Sequence, residues 1–214
     1  MPLRVPRLLL VGDGPRDAAV LPKLLSALLH AQFEHESRAW ARLNHDGGTN
    51  GDGRTARGYG RKLLFALRSA RANGQDGVVA VVDADRSRNH ERLTELKAGR
   101  ETDRASRAPI PTALGEAIPH NEAWLLDDPV AVRDALRLSR DAVVPSLAAV
   151  GSPKEALHEL YLQCPRQNER EIDVLPEIAA ALDLNRCNAR QRTGLQAFAD
   201  EISAEIRPLF DRVA

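Results

Sequence analysis

Residues 78–85 read Val78-Val79-Ala80-Val81-Val82-Asp83-Ala84-Asp85, and this stretch decides the fold class. It follows Asn73-Gly74-Gln75-Asp76-Gly77, a run of turn formers. A short, β-branched apolar run after a Gly-containing turn predicts a parallel strand buried on both faces. Two carboxylates two residues apart then leave its carboxyl end. In open α/β sheets ligands bind at that edge. Asp83 and Asp85 can share a hard divalent cation, which takes oxygen ligands. The plainer reading gives one Asp to capping the next turn and the other to solvent.

Strands and helices alternate outward from this point. Residues 7–11 predict a first buried strand. Pro15 suits an early helical position, and the helix is expected to run to about His30. Val20, Leu21, Leu24, Leu25, Leu28 and Leu29 recur at the spacing of an amphipathic core stripe. Residues 32–43 alternate enough for a second strand. A loop with six glycines (Gly47, Gly48, Gly51, Gly53, Gly58 and Gly60) leads into a helix over 61–71. Residues 86–107 are polar and Arg-rich, with Leu93 and Leu96 as the apolar anchors, and predict a mobile loop carrying one short helix. Residues 113–118 predict a fourth strand, and helices are expected from Asn121 and from Pro129. The alternation indicates an α/β domain over 1–140, with about four mainly parallel strands flanked by helices. A helical C-terminal extension over 141–214 is expected to pack on it. Ser152-Pro153-Lys154-Glu155 is a capping box opening one of its helices. Leu195, Phe198 and Ile202 share one face of the last, which serves a core or a homo-oligomer interface.

The chain has 214 residues and no net charge, with two cysteines, Cys164 and Cys187. No stretch approaches the ~20 apolar residues of a membrane span, and two cysteines suggest neither a disulfide framework nor a zinc cluster. A cytoplasmic protein with structural thiols is the expectation. The neutrality hides an asymmetry. Residues 54–107 hold thirteen basic and seven acidic side chains, whereas 108–214 hold eleven and seventeen. A basic middle permits a phosphate-facing surface, and equally two solvated faces that attract one another.

Two further acidic positions share the setting of the Asp pair. Asp13 leaves the first strand, with Asp17 in the first turn of the helix that follows, and Glu122 follows the fourth strand. Parallel strands put their carboxyl ends on one edge, so Asp13, Asp83, Asp85 and Glu122 are expected to converge. Like charges brought together cost energy unless a cation neutralises them, and Mg²⁺ or Mn²⁺ is the expected ion. Each residue also has a structural reading: Asp13 in a turn, Asp17 at a helix dipole, Glu122 at a helix start.

Leu9-Leu10-Val11-Gly12-Asp13-Gly14-Pro15-Arg16-Asp17 resembles the first motif of the Toprim domain, and Val79-Ala80-Val81-Val82-Asp83-Ala84-Asp85 its Asp-x-Asp motif. Glu122-Ala123-Trp124-Leu125-Leu126-Asp127-Asp128 is similar to a signature of stand-alone Toprim proteins related to the overcoming-lysogenization-defect (OLD) nucleases. Some members act in bacterial anti-phage defence beside an ATPase. The resemblance implies a Toprim-like fold and metal-dependent hydrolysis of phosphodiester bonds in DNA or RNA. Asp83, Asp85, Asp17 and Asp13 would hold the cation. Asp13 or Glu122 would orient or deprotonate the attacking water, and Lys154 would touch a phosphate. The family usually has Glu at the position of Asp13. The shorter side chain can displace the carboxylate by more than about an ångström, a misplacement that can cost about 100-fold in rate.

Arg54, Arg57, Arg61, Lys62, Arg86 and Arg88 are candidates for lining a nucleic-acid backbone. Aromatics are not interleaved with them, which argues against base stacking. The glycine-rich loop lacks the Gly-Lys-Ser/Thr of a Walker A motif. A catalytically weak or inactive Toprim module that binds a partner protein or nucleic acid is the alternative, and Asp13 in place of Glu favours it. A receiver-like phosphotransfer domain ranks last, because no Lys follows the fourth strand.

Overall fold

Four strands, β1 (Arg7–Gly12), β2 (Glu34–Ala39), β3 (Gly77–Asp83) and β4 (Thr112–Ala117), pair in parallel in the order β2-β1-β3-β4. The computed structural model describes residues 4–44, 58–84 and 90–211. Chain reversal puts β2 on one side of β1 and β3 on the other. The topological switch point therefore lies between β1 and β3. Ala80 pairs with Val11 on one side and with Leu114 on the other.

The central strands are apolar because both of their faces are covered. Val78, Val79, Ala80, Val81 and Val82 are all at most 1% exposed, and each valine side chain stabilises the fold by about 1.5–3 kcal/mol. On one face, Leu8, Leu10, Val79, Val81, Ala113 and Ala117 pack against α1 (Pro15–Leu29) and helices of the C-terminal third. These are α4 (Asn121–Leu126), α5 (Pro129–Leu136), α6 (Pro153–Gln163), α7 (Glu171–Ala181) and α8 (Leu195–Glu201). On the other face, Leu9, Val11, Val78, Ala80, Val82 and Leu114 meet α2 (Tyr59–Ala72) and α3 (Glu91–Arg104). The result is a three-layer α/β fold. Among the described residues no helix is long and apolar enough to cross a membrane.

Two expectations need correction. The second strand is shorter than 32–43, because at Trp40 the chain turns into a 3-10 segment, Trp40–Asn44. Trp40 is buried there, and its indole N–H donates to the Val81 carbonyl at 2.7 Å. Residues 91–104 form a fourteen-residue helix, not a short one within a loop. The apolar count misleads here because α3 packs by close approach. A Cβ on Gly99 would lie 2.7 Å from the Gly60 carbonyl oxygen, so the α2 and α3 backbones nearly touch. Arg100 and Asp103 are buried beside Leu96 and pair with Glu201 and Arg71. The last helix passes through a π segment, Ile202–Ile206, between α8 and α9 (Arg207–Asp211). Leu195, Phe198 and Ile202 are all buried in the protein's own core.

Of the predicted capping box, the Ser152 half forms, and Asp128 supplies a cap that the sequence reading did not name. Ser152 Oγ accepts from the Glu155 N–H at 3.3 Å, and Pro153 takes the first helical position. Asp128 caps α5, accepting from Val130 and Ala131 N–H, both at 3.1 Å.

Candidate functional site at the carboxyl edge of the sheet

Asp13 and Asp83 flank the switch point. Asp13 Oδ2 accepts from the Asp83 backbone N–H at 2.9 Å, which ties the exits of β1 and β3 together. Both side chains are partly exposed, at 28% and 22%. The Tyr59 hydroxyl, at the start of α2, reaches Asp13 Oδ1 at 3.5 Å. His120 Nδ1 lies 3.5 Å from Asp83 Oδ2.

Asp17 does something else. It is buried in the first turn of α1, where its carboxylate accepts from the N–H groups of Asp13 and Gly14 and from the Asn121 side chain. Burial pushes the Asp17 carboxyl above its usual range, while the Asp13 and Gly14 hydrogen bonds pull it back down. This side chain holds the β1–α1 turn and joins it to α4. The approach is close enough to require glycine: a Cβ on Gly12 would lie 2.4 Å from Asp17 Cβ.

Glu122 is likewise near the edge and engaged. It is buried in α4, and Arg16 Nη1 donates to its Oε1 at 2.7 Å. The same guanidinium donates to Glu171 Oε2 at 3.1 Å, and His158 Nδ1 lies 3.1 Å from that oxygen. Arg92, in the first turn of α3, donates to the Asp83 carbonyl at 2.9 Å and lies 3.9 Å from Asp13 Oδ2. The acidic edge is thus partly neutralised from within by Arg16 and Arg92. Charge repulsion alone does not demand a metal there. The donor chemistry still suits one. Asp13 carries hard oxygens with lone pairs beyond the bonds described, at a partly exposed position beside Asp83. Among the described residues no three His, Cys, Asp or Glu side chains are grouped to hold a metal. Asp85 lies outside the described residues, as do Arg54, Arg57, Arg86 and Arg88.

The remaining predicted basic residues divide by position. Lys62 stands on the first turns of α2 with its ammonium 5.0 Å from the Tyr59 ring centroid, and Arg92 lies 5.3 Å from the same ring. Arg61 is exposed beside them. Lys154 is exposed on the first turn of α6 and, among the described residues, makes no hydrogen bond or ion pair with the site's carboxylates. Its neighbour Pro153 lines a groove of about 200 Å³ with Ile118, Pro119, Leu147, Val150 and Arg192. None of the acidic residues lines that groove.

The segment around Trp124 is largely architectural. Trp124 is fully buried, stacks on Phe198 at 5.0 Å between centroids, and donates its indole N–H to the Thr193 carbonyl at 2.6 Å. Asp127 accepts from the Ala189 N–H at 2.9 Å. Asp128 accepts from Asp183 N–H and from Arg186. These acids tie the C-terminal third to α4 and α5.

Sequence reasoning missed Arg16, Arg92, Tyr59 and the pair of buried Glu116 with exposed His90. Arg16 lies inside the first acidic motif. Glu116 carried a signal of its own, a charge in the strand sequence Thr112-Ala113-Leu114-Gly115-Glu116-Ala117, which is buried throughout. The architecture and its edge define a three-layer α/β protein with paired aspartates at the switch point. No protein-family model, curated protein or solved structure matches this chain.

Proposed function

We propose that this protein is a divalent-metal-dependent nuclease of the Toprim type, hydrolysing phosphodiester bonds in DNA or RNA. The observation that carries the reading is the junction of Asp13 and Asp83 at the switch point, with a cationic flank of Arg92, Lys62 and Arg61 beside it. Asp83 and Asp13, with Asp85 two residues beyond Asp83, supply the oxygen donors for Mg²⁺ or Mn²⁺. When bound, the ion would neutralise charge developing on the phosphate. Of the two candidate bases, Asp13 suits the attacking water better, because Glu122 is buried under Arg16. Asp17 serves by holding the turn that carries Asp13. Arg61 and Lys62 receive the nucleic-acid backbone. The resemblance to stand-alone OLD-like proteins extends the reading to an anti-phage defence effector working beside an ATPase.

Cleavage of supercoiled plasmid, single-stranded DNA and structured RNA in Mn²⁺ tests it, with Asp83→Asn run in parallel. Wild type is expected to consume one polymer, and Asp83→Asn to lose about 100-fold or more while keeping its circular dichroism spectrum. Equal cleavage by both proteins would end this reading. A non-catalytic Toprim module is the second reading. The internal cations Arg16 and Arg92 favour it, since the edge is compensated without an added ion. Binding to one polymer without turnover would establish it.

A further inference from the structure

Asp13 has a counterpart across β3. Val11, Ala80 and Leu114 lie in one row on the face covered by α2 and α3. Two residues further on stand Asp13, one residue past the end of β1, and Val82 and Glu116, which pair with each other. Glu116 is 5% exposed, and its carboxylate meets His90 Nδ1. His90 caps the start of α3 with left-handed backbone, φ 49°, and its side chain is 57% exposed. Two residues on, Arg92 reaches the Asp83 carbonyl and Asp13. The first turn of α3 therefore straddles the end of β3, with Arg92 toward β1 and His90 toward β4. Glu116 is itself held in place. Gly194, at φ 79°, packs so closely that a Cβ there would lie 2.1 Å from the Glu116 carbonyl oxygen.

A buried carboxylate on one imidazole nitrogen fixes the orientation of the ring and leaves the other nitrogen for chemistry. Asp13, just past β1, and Glu116, in β4, stand on either side of β3, two strand spacings or about 10 Å apart. Between the two sides, Asp83 and Arg92 are partly exposed at the exit of β3. In-line displacement needs the attacking and departing oxygens on opposite sides of phosphorus.

We propose that His90, oriented by Glu116, is the proton donor to the leaving oxygen of the phosphodiester, opposite Asp13; this rests on the nuclease reading. The water oxygen bonds to phosphorus and gives a proton to Asp13. The bond from phosphorus to the leaving oxygen breaks, and that oxygen takes the Nε2 proton of the His90 imidazolium. The products are a phosphate monoester and an alcohol, and solvent resets both side chains. Glu116 acts as a positioning residue.

The test exploits leaving-group chemistry. The polymer cleaved by wild type is compared with an oligonucleotide whose leaving oxygen is replaced by bridging sulfur. A thiolate departs without protonation. His90→Gln is expected to lose about 100-fold on the oxygen substrate, the scale of general acid catalysis, and under about 5-fold on the sulfur one. Glu116→Gln is expected to lose about 10-fold on the oxygen substrate alone. Equal losses on both substrates, or none on the oxygen one, would overturn the role of His90. Wild type that cleaves neither substrate would overturn the nuclease reading first, a result visible before any variant is read.

Discussion

Gly12 sets how closely β1 approaches α1. With Asp17 Cβ only 2.4 Å from the site of an added methyl, Gly12→Ala must push Asp17 off the Asp13 and Gly14 N–H groups. The expected cost is about 1–3 kcal/mol, that of an overpacked core position, read from urea unfolding. A loss under about 0.5 kcal/mol would show that the turn yields freely. The residue scale also separates acids that look alike in sequence. Asp13 and Asp83 stand partly exposed at the crevice, whereas Asp17, Asp127 and Asp128 are buried and accept backbone N–H groups. Sequence spacing marks all of them as strand exits or helix starts. It does not say which oxygens the folded backbone takes up. Arg16 illustrates the same limit, because its partners Glu122 and Glu171 lie 106 and 155 residues away.

Helix starts carry much of the stability at the level of elements. Asp128 is fully buried, caps α5 with two backbone bonds, and also accepts from Asp183 N–H and Arg186. Asp128→Ala is expected to destabilise by about 3 kcal/mol, since it removes a cap and leaves a buried donor without its acceptor. Asp128→Asn keeps the cap and should recover part of that loss. Thermal unfolding of the pair checks this, and equal melting of both variants would assign the whole effect to the charge. Elements with clear periodicity or caps were legible: β1, β3, α1 and the capping-box start of α6. The element α3 was not, because it packs by the Gly99–Gly60 approach and by buried ion pairs rather than by an apolar stripe. Its first turn delivers both Arg92 and His90, so the missed helix was also the missed half of the site.

For the molecule as a whole, the two cysteines report on the core rather than on chemistry. Cys187 is buried, and burial together with the nearby Asp127 and Asp128 charges pushes its thiol up to about 12. In the unfolded chain a thiol titrates near about 8.5. Above that pH the unfolded state loses its proton first, so stability falls as pH rises, by about 1.4 kcal/mol per unit until the folded thiol ionises. Cys187→Ser is expected to flatten the decline in unfolding free energy between about pH 9 and about pH 11. Native protein should also resist iodoacetamide at neutral pH and react at both thiols in denaturant. Rapid labelling of the native state would place Cys187 outside the core.

The α/β class, the buried central strand and the acids at the strand exits are legible in the amino-acid order alone. These follow from local rules: apolar runs, period and caps act between near neighbours. Tertiary structure decided the strand order, and with it the switch point that sets Asp13 beside Asp83. It also decided which carboxylates are engaged by Arg16, Asn121 or backbone N–H groups, and it set Glu116 and His90 on the far side of β3. Those pairings join residues far apart in the chain, and parallel register and close helix packing fix them only once the core has formed.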